Sequence, residues 1–135
     1  MTDPSYEIRK HYIDLLDISV PVLNYATTQE PPFVIVSVSA SGAGTKTSYE
    51  WDVITTMDII VKTDGNWGGD KMADDIANEI MTLLDNKPDY GTTDTFKIVT
   101  QQITGSTPLA EITDIGRVIQ KTITINNYVS QLNSN

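Results

Sequence analysis

The chain reads as an α+β domain: one sheet, antiparallel or mixed at an edge, with an N-terminal helix and a central helix packed on one face and a long hairpin loop. Three observations predict it. Residues 49–61 alternate, with Tyr49, Trp51, Val53, Thr55, Met57, Ile59 and Val61 on one side and Glu50, Asp52, Thr56 and Asp58 on the other. That is the two-residue period of a half-buried strand. Residues 72–84 instead set Met72, Ala73, Ile76, Ala77, Ile80, Leu83 and Leu84 along one stripe of a helix. Finally, the order helix, weak strand, hairpin, helix, hairpin lacks the regular strand–helix alternation of a parallel sheet.

Taken in order, Asp3 and Pro4 form an N-cap and first-turn pair, Glu7 adds a negative charge near the helix start, and Ile8, Tyr12, Leu15 and Leu16 recur on one face. A first helix to about Asp17 is predicted. Residues 19–26 are apolar and partly β-branched, but Pro21 has no N–H for a ladder, so a strand here belongs at an edge or begins late. Pro31 and Pro32 break the chain before a buried strand over 33–39. The small, polar, glycine-bearing stretch 41–47 reads as a long hairpin tip leading into the alternating strand. Residues 64–69 are a turn, Asp70 caps the central helix, and Asn86 and Pro88 end it. Residues 95–104 have strand composition. The stretches 105–108 and 114–116 bracket a connection, and 117–129 form the last strand, with Ile119, Ile123 and Ile125 on one face. Residues 1–135 read as one domain, with 130–135 a flexible tail.

Composition narrows the function. Asp and Glu outnumber Lys and Arg by 18 to 9, giving a net charge of -9. Such a surface disfavours gripping nucleic acid, because that affinity comes from cations displacing counterions from phosphates. There is no cysteine, so disulfides, thiolate nucleophiles and thiolate metal sites are excluded. The start of the chain has no signal-peptide pattern, no stretch approaches a membrane span, and no membrane partner is expected.

Candidate chemistry is sparse. The one imidazole, His11, sits at the boundary of the first helix's apolar face and is read as a boundary histidine. Without a second histidine or a G-x-S-x-G elbow, conventional zinc sites and serine triads find no support. Gly42, Ala43, Gly44, Thr45, Lys46 and Thr47 share the composition of a phosphate loop. Thr45 nevertheless separates the last glycine from Lys46, and a strand follows instead of a helix. Asp64, Asn66, Asp70 and Asp75 carry oxygen ligands, but the glycine a calcium loop needs is misplaced, and a capped turn is the better reading. Asp52 and Asp58 share one strand face about 20 Å apart, too far to flank one bond. Trp51 falls on the core face, and Trp67, in the turn, reads as a contact residue. No catalysis and no cofactor are expected.

The block from Pro31 to Asn86 resembles the tail-completion and tail-terminator (neck) proteins of tailed bacteriophages. A proline-preceded strand enters a polar loop, a long alternating strand leaves it, and a helix of the form x-A-D-x-I-A-x-x-I follows. That helix is here Met72-Ala73-Asp74-Asp75-Ile76-Ala77-Asn78-Glu79-Ile80. The closing strand over 117–128 is also similar to the family's last strand. The resemblance spans roughly residues 15–129 and includes no catalytic signature. It implies a structural virion protein that forms a hexameric ring, with a dodecamer as the other stoichiometry. The ring terminates the tail at the head–tail junction and meets neck or portal-side and tail-tube proteins, while DNA passes without specific binding. The same resemblance fits a head-completion or stopper ring below the portal. A small monomeric carbohydrate- or peptide-binding module, using loops 27–32 and 39–48, is the competing reading from another class. On the ring reading, Gly42, Ala43, Gly44, Thr45, Lys46, Thr47 and Trp67 make inter-subunit or inter-ring contacts. Glu50, Asp52 and Asp58 form an acidic lumen face.

Overall fold

The computed structural model describes residues 3–24, 32–42, 49–63, 68–85, 90–113 and 116–132. Two helices and five strands follow in the order α1 (Ser5–Leu15), β1 (Val22–Leu23), β2 (Phe33–Gly42), β3 (Glu50–Thr63), α2 (Gly68–Asp85), β4 (Phe96–Thr113) and β5 (Gly116–Gln131). The strands make one sheet in the order β1-β2-β3-β5-β4. Its β2–β3, β3–β5 and β4–β5 pairs are antiparallel. The β1–β2 pair is parallel, so the sheet is mixed at that edge rather than antiparallel throughout.

Pro21 explains the short β1. Lacking an N–H, it contributes only its carbonyl, which accepts from the Val34 amide at 2.9 Å, and the strand begins at the next residue. The first helix starts where Asp3 accepts the Ser5 amide at 2.9 Å and stops at Leu15, two residues before the expected end. Leu16 nevertheless stays buried, so the apolar stripe outlasts the helical backbone.

Register decides which face each strand residue occupies. Val53, Thr55, Met57, Ile59 and Val61 of β3 lie beside Ile119, Ile123, Ile125, Asn127 and Val129 of β5 and Val34 and Val36 of β2. All are buried, and their apolar members form one cluster with Ile8, Tyr12 and Leu16 of α1 and Ala73, Ile76, Ala77, Ile80 and Leu84 of α2. Both helices therefore cover the same side of the sheet, α1 over β2 and α2 over β3 and β5. Each large side chain sealed there contributes about 1.5–3 kcal/mol of transfer free energy. Two expected members of the stripes are out of place: Tyr49 precedes β3 and Met72 lies off the buried side of α2, and both are exposed.

The C-terminal half differs most from expectation. Residues 105–113 continue β4 to Thr113 instead of forming a connection. Because β4 is an edge strand, Pro108 need satisfy only one neighbour, and register irregularities after Ile98 and Ile103 absorb the extra residues. The loose tail does not start at Ser130 either. Ser130 and Gln131 belong to β5, and the amides of Gln131 and Leu132 donate to the carbonyls of Tyr49 (2.8 Å) and Thr95 (2.6 Å).

Candidate functional site

With both helices on one side, the opposite side of the sheet has no described element packed on it. Its β3 residues are Glu50, Asp52, Ile54, Thr56, Asp58, Ile60 and Lys62, and β5 places Val118, Gln120, Thr122, Thr124, Asn126 and Tyr128 beside them. Strand β2 adds Phe33, Ile35, Ser37, Ser39 and Ser41. The surface is chiefly hydroxyls, amides and carboxylates, with an apolar end at half-buried Ile35 and Ile60 beside Phe33, which is itself buried, and one well-exposed hydrophobe, Ile54, at 48%. Its charges are the three carboxylates and, at the far end of β3, the exposed Lys62.

Glu50, Asp52 and Asp58 thus share this uncovered face, as their parity in β3 requires. The structure adds how two are held. Asp58 accepts the Thr122 hydroxyl at 2.7 Å, and Glu50 accepts the phenolic hydroxyl of Tyr128. Asp52, opposite Tyr128 in register, is exposed. Thr122 and Tyr128 carry no motif that marks them in the sequence. The signal available was their even parity in β5, which becomes informative only once β3 and β5 are known to be neighbours.

Other singled-out residues are not brought to this face. Gly42 ends β2, whereas Ala43, Gly44, Thr45, Lys46, Thr47 and Trp67 lie outside the described residues, as do Asp64 and Asn66. Of the calcium-type set, Asp75 is an exposed helix residue paired with Lys71 at 2.9 Å. Trp51 is half-buried on the helix side, packed against the core, and its indole N–H has no hydrogen-bond partner among the described residues. His11 stacks edge-on against Tyr12 and lies over Gly91.

On the helix side, a polar cluster runs through the core. The Tyr12 hydroxyl donates to Gln101 Oε1 at 2.8 Å and accepts from Asn127 Nδ2 at 2.8 Å. Asn127 Nδ2 also reaches the Thr100 carbonyl at 3.1 Å, and Thr55 Oγ1 donates to Asn127 Oδ1 at 3.5 Å. Burial pushes the Tyr12 phenol well above its ordinary value, while the Asn127 hydrogen bond works in the opposite direction. These groups satisfy one another and face no groove, which marks them as a register device of the core. No described helix is long and apolar enough to cross a membrane.

No protein family and no curated protein is matched by the sequence. Among solved structures the chain is similar to one from the "Virion of native gene transfer agent (GTA) particle". The TM-score is 0.62 and the identity 12%, over 88% of this chain and 84% of that one. At that identity the likeness is one of fold.

Proposed function

We propose that this chain is a structural protein of a phage-like virion, forming a ring at the head–tail junction with the uncovered sheet face turned to the channel. One observation carries the reading: both helices lie on one side, leaving a broad sheet face of hydroxyls, amides and carboxylates whose β2, β3 and β5 residues set Glu50, Asp52 and Asp58 against a single cation, Lys62, at one end. A wall of that chemistry stays wetted and net negative, three carboxylates to one lysine, so DNA slides past it instead of binding. The fold shared with a virion-particle chain supports the setting. The tail-terminator place within it, the hexameric stoichiometry and the tail-tube and portal-side partners follow from the sequence resemblance. The role asks for a rigid wall and contact surfaces, and no catalysis.

The test is cryo-electron microscopy of particles carrying an epitope-tagged chain. The expected result is density for a ring between head and tail, with Glu50, Asp52 and Asp58 facing the lumen. Finding the chain elsewhere in the particle, or those carboxylates on the outside, overturns the reading. Replacing all three by Lys is expected to leave the fold intact and to impede DNA passage.

A further inference from the structure

The two edges of the sheet are treated very differently by the sequence. The outer edge of β4 is occupied at its start and then interrupted: Thr92 bridges Lys97, and the amides of Thr93 and Ile98 bond the carbonyls of Phe96 and Gly91. Register irregularities follow after Ile98 and Ile103, and Pro108 comes next. These are the devices by which soluble proteins blunt an exposed edge. Among the described residues the edge of β2 carries none of them. Strand β1 covers it only at Val34 and Ile35, and from Val36 to Gly42 no described strand pairs on the side away from β3. That stretch, Val36-Ser37-Val38-Ser39-Ala40-Ser41-Gly42, has neither charge nor proline.

Its backbone direction can be read from one bond. The Val34 amide points to β1, where it donates to Pro21. Because N–H and C=O groups alternate sides along a regular strand, and β2 keeps an unbroken register with β3, Val36, Val38, Ala40 and Gly42 also aim their N–H and C=O outward. These four evenly spaced residues are self-complementary about a two-fold axis at Ser39, with Val38 facing Ala40 and Val36 facing Gly42 of a second strand. The charge pattern leaves this edge open to a second copy. A chain of net charge -9 opposes its own association wherever carboxylates meet, and this edge has none to bring together.

We infer that the free chain pairs with a second copy of itself through an antiparallel β2–β2 joint centred on Ser39. The joint extends the sheet across a two-fold axis and covers the exposed edge. It goes beyond the ring reading and does not depend on it, since a ring whose two sides meet different partners closes by head-to-tail contacts. Seven residues a side make a small interface, below the roughly 1,200 Å² of a stable complex, so the dimer is concentration-dependent.

The absence of native cysteine gives a direct test on the full chain. In the inferred joint the Ser39 residues of the two copies form a non-hydrogen-bonded pair with Cα atoms about 4.5 Å apart, within disulfide reach. Under mild oxidation Ser39→Cys is expected to give a covalent dimer at least tenfold faster than Gln102→Cys on β4, and faster than Ser37→Cys. Ala40→Pro removes an outward donor and leaves the β2–β3 ladder intact, so it should weaken dimerisation in sedimentation or light scattering by tenfold or more. Gly42→Pro, at the exposed strand end, is the second variant should the first not fold. Equal cross-linking through Ser39 and Gln102, dominant cross-linking through Ser37, or unchanged association in a folded proline variant each overturns the joint. Location in the particle is a separate measurement, so the two readings fail independently.

Discussion

The side-chain amide of Asn127 donates to the hydroxyl of Tyr12 at 2.8 Å, joining the last strand to the first helix in a core from which water is excluded. Neither residue is spare: the Tyr12 hydroxyl donates a hydrogen bond to Gln101, and Asn127 holds Thr55 and the Thr100 carbonyl. Removing one member leaves its partners buried and unpaired, which costs more than the bond itself is worth.

Tyr12→Phe and Asn127→Ala should therefore each lower the unfolding free energy by about 1–3 kcal/mol. The double variant should fall short of their sum, because the two act through one bond. Urea denaturation of the two singles and the double checks this. Strict additivity would show that the contact is not energetically shared.

Alkaline pH should expose the same residue. Burial holds the folded phenol above its unfolded value near 10, so the folded state keeps a proton that the unfolded state loses. The stabilisation is complete below about pH 10 and declines above it, by up to about 1.4 kcal/mol per pH unit. Tyr12→Phe lacks this term, so the stability gap between parent and variant should narrow as pH rises from 9 to 11.5. A constant gap across that range rules the term out.

Gly91 has φ +106°, and a Cβ built there would come within 2.5 Å of His11 Cε1. Gly91→Ala should destabilise through both backbone strain, of order 1–3 kcal/mol, and the displaced imidazole. Adding His11→Ala relieves the contact and leaves the strain. Denaturation of the single and double variants should show partial rescue, and full rescue would mean the backbone tolerates alanine.

The two ion pairs should behave differently. Lys121, at a core-parity position of β5 and mostly covered, reaches Asp74 of α2 and ties helix to sheet. Asp74→Ala should cost about 0.2–1 kcal/mol, shrinking in 1 M salt. Lys71 and Asp75 are exposed and one helical turn apart, and Asp75→Ala should leave stability within error. Thermal melts at low and high salt check the pair of predictions.

Local pattern carried much of the architecture. Strict parity in β3 placed Glu50, Asp52 and Asp58 on the face opposite Val53, Met57 and Ile59, and a strand has only two faces to choose between. Ile119, Ile123 and Ile125 likewise announced the buried side of β5. The stripe from Ala73 to Leu84 fixed which side of α2 is buried, because 3.6-residue spacing leaves one continuous apolar flank.

Local pattern could not say which strands are neighbours. That Thr122 meets Asp58, that Asn127 meets Tyr12, and that Pro108 is tolerated inside a strand all depend on β5 lying between β3 and β4. The parallel β1–β2 pair and the edge at Val36–Gly42, which no described strand pairs, arise the same way, from where the chain returns rather than from what any segment prefers. The sequence by itself determined the faces, since side-chain periodicity is a property of one element. Only the tertiary structure decided the edges and the partners, because backbone pairing between distant strands is settled by the packing of the whole core.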